Sequence, residues 1–259
     1  MRITSCVLFG LALLFCIESN LWAGNHGSAL WTKKIFARPV GVRTYVLQTQ
    51  PVALFNGENL DGWTTVGGGK DIKAWNVVDG TLHRKSNGGD IVTEKEYGNF
   101  ILEFKWKISS KGNSGLKYKF TKFGNDWLGC EFQVLDDAQN NDGKIPSHRT
   151  GSLYDIIASP VENYVRPVGE YNQSKIIVNG NRIQHWLNGK LLVDVVVGSP
   201  KWETGFNASK FKEHQDFGKN AKGKILLQDH GNEVWFKDIT IRELKTVSGR
   251  KFVGLRLSR

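Results

Sequence analysis

The sequence predicts an all-β protein built as an antiparallel β-sandwich of two sheets. From Pro51 onwards, short runs of alternating apolar and polar residues are separated by turn signals, as in sandwich proteins. The 259 residues include 29 Gly, 9 Trp and 14 Phe but one Met, a composition that suits turns and half-buried pleated faces. No stretch has a sustained helical period with caps, and only residues 208–213 suggest a turn or two of helix.

The clearest strand covers residues 100–108, where Phe100, Leu102, Phe104 and Trp106 share one face and mostly charged residues share the other. We expect that face to be buried between the two sheets. The other predicted strands cover residues 116–120, 176–178, 182–187, 190–197, 225–228 and 234–241. Turns at residues 179–181 and at Asn188-Gly189 connect three of them as hairpins.

The N-terminus has the pattern of a secretory signal peptide. Arg2 precedes an apolar run over residues 6–17, which is too short to span a bilayer comfortably, and small residues at positions 23–24 supply a cleavage site. The predicted organisation is a signal peptide at 1–23, an N-terminal extension at 24–50, a sandwich at 51–244 and a basic C-terminal tail at 245–259. We therefore expect an exported protein, periplasmic or extracellular, with no membrane insertion after cleavage.

The formal net charge of +10 is concentrated at the two ends of the chain. Residues 245–259 carry five basic side chains and no acid, and residues 1–50 carry five against one acid. The body is nearly neutral, which argues against a nucleic-acid partner because such proteins carry their positive surface on the folded domain. With the signal removed, Cys130 is the one remaining cysteine, so no intrachain disulfide can form.

The strongest candidate for chemistry is the strand around Glu131. Glu131 and Gln133 share one face, whereas Cys130, Phe132 and Val134 share the opposite, apolar face. A carboxylate and an amide on one face suit a polar ligand, although an exposed, solvated sheet face would show the same pattern.

Four other positions add polar groups that could reach the same cleft. Asn113 and Ser114 precede Gly115. These small polar residues would allow either the close approach of another backbone segment or a plain turn. Gln228 and His230 share a face at a strand end, although a histidine there is commonly structural.

Two neighbouring residues on the predicted strand at 182–187 point in opposite directions. His185 is in phase with Ile183 and Leu187, which favours a core position, whereas Trp186 is out of phase and suits stacking on a sugar ring.

No cofactor is predicted. A single mature cysteine excludes a cysteine-based zinc site, and the histidines lack ligand spacing. An oxygen-rich loop leaves a divalent cation such as calcium open, although it does not match the EF-hand pattern and such loops are usually solvated turns. Its residues are Asp136, Asp137, Asn140, Asn141 and Asp142.

Seven ordered segments resemble the 3-keto-disaccharide hydrolase domain family. They are ALFNGENLDGW (53–63), NSGLKYK (113–119), EFQVLD (131–136), GSLYD (151–155), GEYN (169–172), HWLNG (185–189) and LQDHG (227–231). The resemblance covers residues 51–244. It implies a concanavalin A-like jelly-roll sandwich and an exported bacterial enzyme of sugar breakdown, with a carbohydrate as its partner.

A 3-keto-glycoside would require one base, one acid and donors for an enolate. The ketone acidifies the proton on C2, so proton abstraction, elimination and addition of water would together hydrolyse the glycosidic bond. The candidate catalytic residues are Glu131 and His230, with acid and base roles left open. The candidate substrate-binding residues are Asn113, Ser114, Lys117, Gln133, Asp136, Tyr154, His185, Trp186 and Gln228.

Two alternatives remain on the same fold. A non-catalytic, lectin-like module would need aromatic platforms such as Trp127 or Trp186 and a few amides. A retaining glucanase would need two carboxylates about 5 Å apart. The alternate positions 131, 133 and 135 hold Glu, Gln and Leu, so a second carboxylate is missing unless a bulge brings Asp136 to that face.

Overall fold

The structure is a computed structural model that describes residues 43–85, 88–160 and 164–249. The predicted signal peptide, the first part of the predicted extension and the end of the predicted tail lie outside the described residues. No helix among the described residues is long and apolar enough to cross a membrane.

The described residues form fourteen strands, one α-helix (α1, Pro200–Ala208) and two short 3₁₀ helices (Asn141–Lys144 and Pro146–His148). The strands are β1 (Arg43–Gln48), β2 (Val52–Ala53), β3 (Trp63–Thr65), β4 (Trp75–Val78), β5 (Thr81–Arg84), β6 (Ile91–Thr93), β7 (Phe100–Ile108), β8 (Asn113–Phe123), β9 (Asp126–Leu135), β10 (Asn172–Asn179), β11 (Arg182–Leu187), β12 (Lys190–Val196), β13 (Lys224–Leu227) and β14 (Val234–Gly249).

The strands make two antiparallel sheets, which confirms the predicted fold class. The larger sheet has the order β12-β11-β10-β7-β14-β5-β4, and β1 and β2 also pair with β14. The smaller sheet has the order β3-β6-β13-β8-β9. Two sheets packed face to face bury one face of each strand, which is why β7 and β10 alternate buried and less buried residues. β8 and β9 are instead buried on both faces over most of their length.

The core lies between the sheets and is rich in aromatic rings. Phe100, Leu102, Phe104 and Trp106 on β7 are all buried, as predicted. Across the core, the Phe104 ring meets Phe132 of β9 edge to face, with ring centroids 5.5 Å apart. Such aromatic pairs stabilise a core beyond the area that they bury.

One helix was not expected from the sequence. Helix α1 begins after Ser199, whose side chain accepts a hydrogen bond from the Trp202 backbone N–H, and it buries Trp202 and Phe206. The predicted helical fragment at 208–213 is wrong because the helix ends at Ala208. The Ser-Pro start is a regular helix signal, but two buried residues are too few to show a helical period.

The larger sheet extends beyond the predicted sandwich boundaries of 51–244. β1 pairs with the end of β14, from Arg43 opposite Gly249 to Gln48 opposite Leu244. Residues of the predicted extension and of the predicted tail therefore form one antiparallel ladder, although neither stretch shows a sustained alternation of apolar and polar residues.

We expect Phe104→Ala to lower the free energy of unfolding by about 3–5 kcal/mol, since it opens a cavity where both sheets meet. The matched control is Val196→Ala, at an exposed position on β12, which should change it by less than about 0.5 kcal/mol. Urea unfolding followed by tryptophan fluorescence measures both. A loss at Phe104 no larger than at Val196 would contradict the described core.

Candidate active site

The candidate active site lies on the outer face of the smaller sheet, where β8 and β9 pair. Lys117 stands directly opposite Glu131, and Gly115 stands opposite Gln133. β13 lies on the other side of β8, and just after its end the Gln228 backbone N–H donates to the Gly115 carbonyl, 3.0 Å away. This pairing brings the predicted strand end at Gln228 next to the Glu131 strand.

A pocket of about 130 Å³ opens at this place. Seven of the predicted site residues line it, namely Asn113, Lys117, Glu131, Gln133, Tyr154, Gln228 and His230. Five further residues complete the lining, namely Trp127, Leu128, Gly129, Lys210 and Phe211. Strand alternation therefore brings Glu131, Gln133, Gln228 and His230 into one concavity, as expected from their shared faces.

Glu131 is buried although it faces away from the core, with only 6% of its surface exposed. Burial raises the pKa of its carboxyl group, and nearby Asp90 raises it further. The positive charges of Lys117, Lys210 and His230 oppose that rise without cancelling it. The Lys117 Nζ lies 3.7 Å from Glu131 Oε2. The pocket thus holds a carboxyl group that is a stronger base than one in water.

Gln133 orients the Glu131 carboxylate from the same strand. With its amide nitrogen turned towards Glu131, Gln133 places that nitrogen 3.1 Å from the Ser114 carbonyl oxygen and 3.2 Å from Glu131 Oε1. The amide therefore donates to both oxygens. Because Gln133 is itself almost completely buried, these hydrogen bonds hold the carboxylate in one position.

Gly115 makes room for the carboxylate. A Cβ atom at this position would lie 2.0 Å from Glu131 Oε1, well inside van der Waals contact. The Glu131 side chain therefore lies across the bare backbone of β8. This explains why glycine follows Asn113 and Ser114 in a strand, where glycine is otherwise unfavourable.

Tyr154 forms one wall of the pocket between a histidine and a lysine. The His148 ring stacks on it with centroids 4.4 Å apart and an interplanar angle of 25°. The Lys210 Nζ lies 4.5 Å from the ring centroid. Burial and the nearby carboxylates, Glu131 among them, raise the pKa of Tyr154 to about 12. Its phenol therefore remains a hydrogen-bond donor at neutral pH.

His148 lies between two carboxylates that hold other pocket residues. Its Nε2 is 3.0 Å from Asp155 Oδ1, and its Nδ1 is 3.7 Å from Asp142 Oδ1. The second oxygen of Asp142 accepts a hydrogen bond from Asn113 Nδ2 at 3.2 Å. The second oxygen of Asp155 accepts from the Lys210 backbone N–H at 2.8 Å. One layer behind the pocket thus positions both Asn113 and Lys210.

Asp229 fixes the segment that carries His230. Its Oδ2 accepts hydrogen bonds from the backbone N–H groups of Gly88 and Gly89 at 3.1 and 2.9 Å, and its Oδ1 pairs with Arg84 Nη2 at 2.6 Å. Burial alone would raise the pKa of Asp229, but a hydrogen bond from the Gly231 backbone N–H, those from Gly89 and Gly88, and the Arg84 charge lower it. Asp229 is therefore a structural anchor, and His230 next to it is free to face the pocket.

Comparison with known proteins identifies the family. The family model described as "3-keto-alpha-glucoside-1,2-lyase-like domain" matches residues 50–242, more than half of the chain. The chain belongs to this family. The resemblance carried by the seven sequence segments is thereby confirmed.

The relatives extend this result to function class. The chain is 30% identical over 227 residues to a 3-keto-disaccharide hydrolase of Bacteroides thetaiotaomicron, covering 74% of this chain and 78% of the relative. Two crystal structures of candidate glycosyl hydrolases from Parabacteroides distasonis are also similar. One is 33% identical with a TM-score of 0.69, covering 75% of this chain and 94% of that one. The other is 27% identical with a TM-score of 0.64, covering 75% and 100%. The family member described here is accordingly a hydrolase of the glycoside hydrolase type.

Two predicted substrate contacts lie in other parts of the fold and are corrected. His185 is completely buried in the core, where its Nε2 is 2.8 Å from the Tyr118 hydroxyl and its Nδ1 is 3.0 Å from the Gly151 carbonyl oxygen. Burial lowers the pKa of His185 to about 4, so the ring is neutral, donates to Gly151 and accepts from Tyr118. Trp186 lies on the outer face of the larger sheet, with the Lys175 Nζ 4.4 Å from its ring centroid.

Two further predicted contacts lie beside the pocket but outside its lining. Ser114 is buried, and its hydroxyl donates to the Gln228 carbonyl at 2.9 Å, which ties β8 to the end of β13. The Asp136 carboxylate accepts hydrogen bonds from the backbone N–H groups of Lys111 at 2.8 Å and Ala138 at 3.2 Å. Both side chains make hydrogen bonds within the fold around the site, and neither lines this pocket.

The oxygen-rich loop after β9 uses its side chains to hold itself together. Asp137 Oδ1 accepts hydrogen bonds from the Thr150 backbone N–H at 2.9 Å and from the Thr150 hydroxyl at 3.1 Å. Asn140 Oδ1 caps the following 3₁₀ helix by accepting from the Asp142 N–H at 3.0 Å. Throughout residues 43–249, apart from the gaps at 86–87 and 161–163, no cluster of three His, Cys, Asp or Glu side chains is arranged to hold a metal ion.

Sequence reasoning missed Lys210 and Asp90, whose charges act on Glu131. Lys210 follows α1 in a segment without periodic pattern, and Asp90 follows two glycines before β6. Neither position carries a sequence signal, because both reach the site through long-range packing of the chain.

Glu131→Gln should reveal the buried carboxylate in the pH dependence of stability. Because the pKa of Glu131 is raised above its ordinary 4.5, the folded state binds this proton more tightly than the unfolded chain. Wild-type stability should therefore fall as pH rises from about 4.5 through the raised pKa. We expect the variant to be more stable than wild type at neutral pH, with the difference vanishing below about pH 4.5.

Urea unfolding at a series of pH values measures this difference. Glu103→Gln, on the outer face of β7, is the control for losing one carboxylate charge elsewhere in the sandwich. A Glu131→Gln variant that is less stable than wild type at neutral pH would contradict the raised pKa.

Proposed function

We propose that this protein cleaves 3-keto-glycosides, and 3-keto-disaccharides in particular, by elimination followed by addition of water. The observation that carries the proposal is a single buried carboxyl group of raised pKa in a pocket lined with amides and cations. The 3-keto-disaccharide hydrolase named among the relatives supports this substrate class.

Glu131 is the base in the proposed reaction. Its carboxylate removes the proton from C2, next to the C3 ketone, and the electron pair of that bond forms the enolate. The enolate then expels the glycosidic oxygen from C1, which leaves a C1–C2 double bond. A carboxylate whose pKa is raised by burial suits this step, because base strength should lie close to the working pH.

Two polar side chains lie where an enolate oxygen and sugar hydroxyls could bind. The Lys117 ammonium group lies beside Glu131 and can donate to the enolate oxygen, whereas both N–H bonds of the Gln133 amide are already used on Ser114 and Glu131. The Oε1 atom of Gln228 is buried and accepts no hydrogen bond from the described residues. An unpartnered buried carbonyl oxygen is unfavourable, so a substrate hydroxyl that donates to it would satisfy it.

His230 supplies the proton to the departing oxygen in this proposal. Its side chain lines the pocket and is itself exposed, so it can take a new proton from water after each turnover. The Tyr154 hydroxyl, held protonated by its high pKa, is placed to donate a hydrogen bond to the sugar. A water molecule then adds its oxygen to C1 while a proton returns to C2, which completes net hydrolysis.

The structure disfavours the two alternatives on this fold. A retaining glucanase requires two cooperating carboxylates, but Leu135 is buried and Asp136 accepts backbone hydrogen bonds outside the lining. Asp90, whose charge also acts on Glu131, lies outside the lining as well, and its Oδ1 accepts a hydrogen bond from the Asp229 backbone N–H. A lectin-like module needs contact surface and amides, whereas burying Glu131 destabilises the fold without improving sugar stacking. A base is the role that accounts for the buried carboxylate.

We also propose that the protein acts after export, in the periplasm or outside the cell. Support comes from the signal-peptide pattern of residues 1–23.

Replacing Glu131 by Gln should lower turnover of a 3-keto-disaccharide by about 10²- to 10⁴-fold, because the amide cannot accept the C2 proton. The substitution keeps the size and the hydrogen-bonding shape of the side chain, so folding should be preserved. Glu103→Gln is the matched control and should retain wild-type turnover. Chromatography of the released ketosugar measures the turnover of each variant. Near-normal turnover by Glu131→Gln would exclude Glu131 as the base.

Cleavage in deuterated water should place deuterium at C2 of the released 3-ketosugar. The carbon loses its proton to Glu131 during elimination and takes one from solvent during addition of water. We also expect negligible cleavage of the same disaccharide before oxidation at C3, because an ordinary sugar C–H is far less acidic. Brief incubation, rapid quenching and NMR measure both, with the free ketosugar as a control for spontaneous exchange. Efficient hydrolysis of the unoxidised sugar, without label at C2, would refute the mechanism.

A further inference from the structure

Trp127 lines the pocket, but the proposed mechanism does not use it. Its side chain is 43% exposed, whereas Glu131 on the same strand is 6% exposed. The two residues are four positions apart on β9, so strand alternation places them on the same face. The pocket therefore runs along β9 from an enclosed carboxylate to an open indole ring.

Gly129 forms the floor between these two side chains. A Cβ atom there would lie 2.9 Å from the Tyr118 carbonyl oxygen and 3.0 Å from Phe120 Cα, so the neighbouring strand leaves no space for a side chain. Four residues of extended strand span about 13 Å. Glu131 and Trp127 therefore line one pocket with no side chain between them on their face of β9, at a spacing that two linked sugar rings could span.

The Trp127 ring is held in place before any ligand arrives. It stacks on Phe120 with ring centroids 5.6 Å apart and an interplanar angle of 19°. Phe120 is buried, and it packs in a small apolar cluster with Val92 and Leu226. A ring whose plane is already fixed loses little conformational freedom when a ligand stacks on it.

We propose that Trp127 is the platform on which the leaving sugar of the substrate stacks. This inference rests on the proposed function, which places the 3-keto ring at the enclosed end beside Glu131. The leaving group must then extend towards the open end, where the flat apolar face of a pyranose ring meets the indole. The site therefore selects 3-keto-disaccharides over 3-keto-glycosides of small alcohols.

The test compares two substrates that differ in the leaving group alone. One is a 3-keto-glucosyl-glucose disaccharide, and the other is the methyl 3-keto-glucoside with the same linkage at C1. Trp127→Ala should lower kcat/KM for the disaccharide about tenfold, mainly through KM, and should lower it less than about threefold for the methyl glycoside. Trp127→Phe should restore most of the loss, because it keeps a flat ring.

Trp186→Ala removes a tryptophan from the outer face of the larger sheet and is the matched control, with no selective effect expected. Trp127→Leu keeps apolar cover over Phe120 and replaces the alanine variant if that variant does not fold. Equal losses on both substrates, or no loss, would overturn the role of Trp127. Failure of the wild-type protein to cleave either substrate would instead refute the proposed function on which the inference rests.

Discussion

Burial of the Glu131 carboxyl group on the outer face of the smaller sheet is the constraint around which the site is arranged. A carboxylate out of water is unfavourable unless other groups compensate for the lost hydration. Here Lys117 stands opposite it on the paired strand, Gln133 donates to it, and Lys210 adds a second positive charge from a distant segment. These groups offset only part of the lost hydration, so the pKa of Glu131 stays raised. The carboxylate is therefore a base and not simply one half of a stable ion pair.

The second layer of the site follows from the same constraint. Lys210 acts on Glu131 only if its segment is fixed, and Asp155 fixes it by accepting the Lys210 backbone N–H. His148 connects Asp155 with Asp142, and Asp142 in turn holds Asn113 at the start of β8. The walls of the pocket are therefore attached to each other as well as to the sheet.

Much of the fold could be predicted because strand alternation has a short period. The apolar face of β7 and the opposite faces of Glu131 and Phe132 follow from residues two positions apart. The same rule placed His185 towards the core and Trp186 away from it, but it could not tell which sheet their strand joins. Trp186 does face outward, but from the larger sheet, whereas the pocket lies on the smaller one. Tyr154 was identified through family resemblance, whereas Lys210 and Asp90 reach Glu131 through loops whose positions no local pattern encodes.

Cys130 lies immediately before Glu131 and faces the core, where burial raises the pKa of its thiol to about 12. Thiols react with alkylating reagents as thiolates, so Cys130 does not react with them while β9 stays in the sheet. Among the described residues it is the sole free cysteine. The rate at which Cys130 is alkylated in the native protein therefore reports how often β9, the strand that carries Glu131, opens locally. This residue can thus serve as an internal probe of the rigidity of the site.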